Sequence, residues 1–123
     1  MKTRRMNRNV LEICDEKEQI ILSIAEEVRD NTMLITLDGE IINEVAHEFE
    51  DEVMAALSVC PKLELNFEKV HYIASMALRS LLSVQQMIDD LDDAGMVLTH
   101  VSPEVMRILD ESGFSDILEI ENE

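Results

Sequence analysis

Apolar residues along this chain recur at two periods, and where the period changes marks the elements. Ile20 to Val28 is apolar early and polar late, Arg29-Asp30-Asn31 carries turn chemistry, and Thr32 to Leu37 is rich in β-formers before Asp38-Gly39. This predicts two antiparallel strands joined by a turn, although residues 18 to 28 also fit a helix. After Gly39 the spacing of Val45, Ala46, Phe49, Val53, Ala56 and Leu57 is that of an amphipathic helix, which Pro61 prevents from continuing past Cys60.

Leu63 to Phe67 alternates like a strand, and Val70 to Ala74 is a second apolar stretch leading into another helix. That helix is predicted over Ser75 to Asp93, with Leu78, Leu81, Leu82, Ile88 and Leu91 inward and Gly95 as its terminator. Met96 to Val101 reads as a strand. Ser102-Pro103 is a helix start, with Ser at the cap and Pro at the first helical position. The helix Glu104 to Glu111 stops before Gly113, and Ile117 to Ile120 adds a short final strand. From Leu63 onward, strand and helix alternate. Right-handed crossovers then place the helices on a mixed, mostly parallel sheet, an α/β fold. Residues 1–17 mix basic and acidic residues around Val10, Leu11 and Ile13 and are expected to be an N-terminal tail or docking segment. Residues 18–123 form the domain.

A chain of 123 residues supports one core. Charge narrows its partners: 27 acidic against 10 basic side chains give a net of -17. Four of the bases precede Asn9, so from there on the balance is -21. Such a field repels phosphate backbones, and with no Trp, one Tyr and three Phe there is no stacking platform, so nucleic acid is not expected as a partner unless the short basic head binds it alone. The longest apolar run, Ile20 to Ala25, is interrupted by Ser23 and too short to span a bilayer, and no signal-peptide core follows the basic start. The expected location is the cytoplasm, with Cys14 and Cys60 as reduced thiols and Cys60 filling a helix end.

Enzymatic chemistry finds little support. Three dispersed glycines build no phosphate cradle, and His47, His71, His100, Cys14 and Cys60 show no metal-ligand spacing. No Gly-x-Ser-x-Gly elbow surrounds any serine, so Ser75 with His71 or His100 makes no hydrolase triad. A receiver domain needs a late lysine, and the last one here is Lys69. The expectation is a non-enzymatic protein without cofactor or metal. Ser75 stands apart, because it sits between a strand-like approach and a long amphipathic helix. There it serves either as a plain cap of the first turn or as a phosphate acceptor, since a helix N-terminus offers N–H donors and a positive dipole end.

Here the chain resembles the STAS domain, and within it the bacterial anti-sigma factor antagonists of partner-switching systems, over about residues 32 to 121. Thr36-Leu37-Asp38-Gly39-Glu40-Ile41 is similar to the family's second strand and Gly-Glu-Leu/Ile turn. Leu65 to Ile73 is similar to the strand and loop before the phosphorylation site. Val101-Ser102-Pro103 through Leu109, then Ser112-Gly113-Phe114, resembles the closing Ser-Pro... Ser-Gly-Phe stretch. The family's phosphoacceptor motif, Asp-Ser-Ser/Thr-Gly-Leu or Ser-Ser-Ala-Gly-Leu-Arg, falls on Ser75. It departs at Ala74, Met76 and Ala77, and Ile42 stands where the family has an Asp.

The resemblance implies a STAS fold that regulates a protein partner, an anti-sigma factor with serine kinase activity. It implies phosphorylation at Ser75 and a docking surface of Ser75, Met76, Arg79, Ser80, Ser83 and Met87. The altered flanks, with a methyl at Ala77 where a kinase would approach, favour the alternative of a non-phosphorylated STAS scaffold or adaptor subunit in a transport or sensory complex.

Overall fold

The computed structural model describes residues 1–7 and 9–121. Its strands are β1 (Lys2–Met6), β2 (Val10–Cys14), β3 (Ile20–Arg29), β4 (Thr32–Ile41), β5 (Lys62–Ile73), β6 (Gly95–Thr99) and β7 (Glu119–Glu121). They form one sheet in sequence order. The helices α1 (Ala46–Val59), α2 (Ser75–Asp89) and α3 (Pro103–Ser112) are the crossovers between β4, β5, β6 and β7. The sheet is mixed. β4 to β7 pair in parallel, whereas β1 to β4 pair antiparallel through hairpin connections.

Right-handed crossovers that always step in the same direction put all their helices on one face of the sheet. Side-chain alternation agrees, since the register aligns Leu11, Ile24 and Leu37 in one buried row and Ile35, Leu65 and Leu98 in another. Phe49, Val53 and Ala56 of α1 and Leu81, Val84 and Ile88 of α2 close over these rows. Each large side chain so buried contributes about 1.5–3 kcal/mol. The register also fixes the opposite face, where the half-exposed Val10, Ala25, Thr36, Asn66 and Thr99 run in line across five strands.

Several local differences from the sequence reading have physical causes. Residues 1–17 hold two strands in place of a tail: β1 pairs with β2, and Leu11, Ile13 and Cys14 of β2 enter the core. Every residue of β1 is exposed, so no apolar alternation announces it, and backbone pairing with β2 and ion pairs such as Arg4–Glu12 hold it in place. Residues 62–73 are one strand in place of a strand and a separate stretch. Thr36 faces Asn66 while Asp38 faces Lys69, and Gly39 faces Val70 while Ile41 faces Ile73. Twice, then, β5 advances three residues where β4 advances two, which is a bulge each time. The inward positions consequently shift from every second residue to Phe67, Val70 and Ile73.

Helix α2 ends at Asp89, one turn short of the prediction. Asp89, Asp90, Asp92 and Asp93 crowd the negative end of the helix dipole, and no basic residue in the last turn offsets them. Asp93 adopts a left-handed conformation, and Leu91, expected inward, is exposed. Gly95 is thus the first residue of β6, its N–H donating to the Pro61 carbonyl at 2.9 Å. The other helix ends follow the sequence closely. The Ser102 hydroxyl accepts from the Val105 N–H at 3.3 Å, Gly113 closes α3 in the left-handed conformation, and Cys60 is buried as the residue that caps α1.

Candidate functional site

Ser75 is the first residue of α2, exposed to solvent. It does not cap the helix. The capping position belongs to Ala74, whose side chain cannot accept a hydrogen bond, and the donor next in line, the Met76 N–H, goes to the Asn43 side-chain oxygen at 3.1 Å. Asn43 opens the short 3-10 turn that precedes α1, so the cap crosses from one crossover to the next. Ile41 fixes the same junction from β4 by accepting the Ala74 N–H at 2.8 Å. With the cap supplied by Asn43, the Ser75 hydroxyl has no hydrogen-bond partner among the described residues.

The remaining predicted site residues divide by helix face. Met76 is 51% and Met87 46% exposed, Arg79 is exposed and Ser83 half-buried. Arg79 makes no ion pair among the described residues, and as residue i+4 it lies on the same face as Ser75. Ser80 lies at the floor of that surface and offers it little area. It is buried, its hydroxyl directed at the carbonyls of Ala46 at 3.1 Å and Met76 at 3.2 Å, so it ties α2 to the start of α1. Ala77 is fully buried as well. Its methyl therefore faces the core, not an approaching kinase.

The exposed part of the site borders a shallow groove of about 200 Å³ between the two helices, where α1 contributes Ala46, His47 and Glu50 opposite Met76, Arg79 and Ser83. His47 lies 3.2 Å from the Asp51 carboxylate on its own helix. Asn43, His47 and Glu50 were not among the residues expected here. They reach the site through packing, and only the capping preference of Asn hinted at the first. Among the described residues, no group of three or more His, Cys, Asp or Glu side chains is placed to hold a metal ion, and no helix is long and apolar enough to cross a membrane.

The STAS domain family model matches residues 23–123. The chain belongs to the STAS domain family. No curated protein sequence matches it. Among solved structures, the Thermotoga maritima protein TM1081 is similar at a TM-score of 0.73, with 20% identity over 81% of this chain and 86% of that one. An anti-sigma factor antagonist from Mycobacterium paratuberculosis also gives 0.73, with 16% identity over 88% and 89%. The Bacillus cell fate determinant SpoIIAA in its phosphorylated form gives 0.63, with 17% identity over 81% and 90%. At these identities the likeness is one of fold. The mixed sheet with its three helices is thus a STAS fold, and β1, β2 and the start of β3 through Leu22 lie ahead of the family match.

Proposed function

We propose that this STAS domain is a non-enzymatic regulator, working in the cytoplasm, that binds an anti-sigma factor with serine kinase activity through the start of α2, and that phosphorylation of Ser75 ends the contact. The observation that carries this reading is the exposed, uncommitted Ser75 hydroxyl on the first turn of α2, flanked by the exposed Met76 and Arg79. An exposed Met adapts its shape to a partner, and Arg79 is a cation in a strongly acidic chain. The fold shared with an anti-sigma factor antagonist supports a protein partner of that class.

A phosphate on Ser75 would sit at the positive end of the α2 dipole, within one helical turn of Arg79, so the modified helix start tolerates it. At the contact surface it adds nearly two negative charges, a repulsion of several kcal/mol that switches off a micromolar complex. The proposed docking surface is the exposed Ser75, Met76, Arg79 and Met87 with the half-buried Ser83, and His47 and Glu50 face Met76 and Arg79 across the groove. The test is the affinity of the cognate anti-sigma kinase for the wild-type chain and for Met76→Ala and Arg79→Ala, each expected to bind about tenfold more weakly. Unchanged affinity in both variants would move the contact elsewhere. Recovery of an ATPase transporter subunit in place of the kinase would favour the scaffold reading.

A further inference from the structure

Strand β1 has one firm link to the helical layer. The Arg5 guanidinium grips the Glu52 carboxylate of α1 with two hydrogen bonds, at 2.8 and 2.9 Å. Glu52 is one of the few buried polar side chains among the described residues, and Arg5 is the cation paired with it. A third group, Glu26 on β3, lies beside this pair in the same cleft. These three side chains line a cleft of about 420 Å³ with Asn9, Val28 and Met33 around them. Among the described residues, the remaining charged groups nearby do not neutralise Glu26. On its own strand Glu27 is taken by Arg29 at 2.7 Å, on α1 Glu48 stands one turn from Glu52, β4 presents Ile35 opposite Glu26, and the β1–β2 loop presents the neutral Asn9, whose carbonyl accepts the Glu26 N–H.

We propose that Arg5, Glu52 and Glu26 form a proton-dependent latch that fastens β1 to the helical layer. Both guanidinium hydrogen bonds go to Glu52, so the arrangement holds together best when Glu26 keeps its proton and donates it to Glu52. Burial, then the contact with Glu52, pushes the Glu26 carboxyl up to about 8. Glu52 is held below the ordinary carboxylate range, chiefly by the hydrogen bonds from Arg5. The closed latch therefore carries one proton at neutral pH. Opening lets water reach Glu26, which then releases that proton to solvent, so opening becomes easier as pH rises from the ordinary carboxylate value of 4.5 toward about 8 and changes no further above it. β1 is suited to such release, because it is a sheet edge with every residue exposed and it lies outside the residues matched to the family.

Amide hydrogen exchange, expressed as protection factors so that the intrinsic pH dependence is removed, reads the latch directly. From about pH 5.5 to about pH 8, protection of the β1 and β2 amides is expected to fall by up to about tenfold per pH unit and then to level off, while the β5–β6 ladder stays constant. In Glu26→Gln, which keeps a donor for Glu52 but cannot ionise, the slope disappears. A slope that persists in Glu26→Gln, or β1 protection that is flat in the wild type, overturns the proposal. The carboxyl carbon shift of Glu26 in the unmodified chain needs no variant: a midpoint well above 4.5 is expected, and one at the ordinary value contradicts the latch.

Discussion

The side-chain oxygen of Asn43 caps Met76, 33 residues further along the chain, by accepting its backbone N–H at 3.1 Å. This single bond sets the start of α2 and leaves the Ser75 hydroxyl uncommitted. A helix that borrows its cap from the neighbouring crossover can present its own serine. Replacing Asn43 by Ala is expected to cost about 1 kcal/mol, read as a lower urea midpoint with an unchanged slope. Asn43→Asp keeps the acceptor and adds charge at the favourable dipole end, so it restores most of that loss.

Gly39 in β4 has φ +131, in the region that favours glycine, and a Cβ there would overlap the Ile21 carbonyl oxygen of β3. The clash is with backbone, which cannot turn aside. Gly39→Ala is expected to lower stability by about 3 kcal/mol in equilibrium unfolding. An effect below about 1 kcal/mol, by the same scale, would mean that β3 and β4 do not approach as described.

Ser80 and Arg79 are neighbours in sequence with opposite expected roles. Ser80→Ala removes the tie between α2 and the start of α1, at a cost of about 1 kcal/mol with little effect on partner affinity. Arg79→Ala removes an exposed side chain, so its unfolding midpoint should be unchanged while partner binding weakens. The two variants separate docking from packing.

Glu26 also makes overall stability depend on pH. Its carboxyl is raised to about 8 in the folded chain, mainly by burial, from an ordinary 4.5, so between those values the folded chain holds a proton that the unfolded chain has released. Unfolding free energy therefore declines as pH rises through this window. Urea midpoints at about pH 6 and pH 9 should differ less in Glu26→Gln than in the wild type.

Much of the fold was legible because burial leaves a period in the sequence. The spacing of Phe49, Val53, Ala56 and Leu57 and the pair Ser102-Pro103 placed α1 and α3 within a few residues of where they lie. β1 left no such trace, since all its side chains are in solvent. The continuity of β5 was hidden by its bulges, which change the inward spacing from two to three. At the site, Ser75 was legible from its position before a long apolar stripe, but its cap was not, because Asn43 meets Met76 only through folding. Ser80 misled through its polarity. Its spacing from Ala77 and Val84 is that of the buried face, and a hydroxyl that bonds to backbone carbonyls is at home there.

Ser75 is the residue on which the proposed switch depends, and intact-mass measurement after incubation with the cognate anti-sigma kinase and ATP tests it most directly. The wild-type chain is expected to gain the mass of a single phosphate and Ser75→Ala none. Equal uptake by both chains, or none by either, would contradict a switch at Ser75.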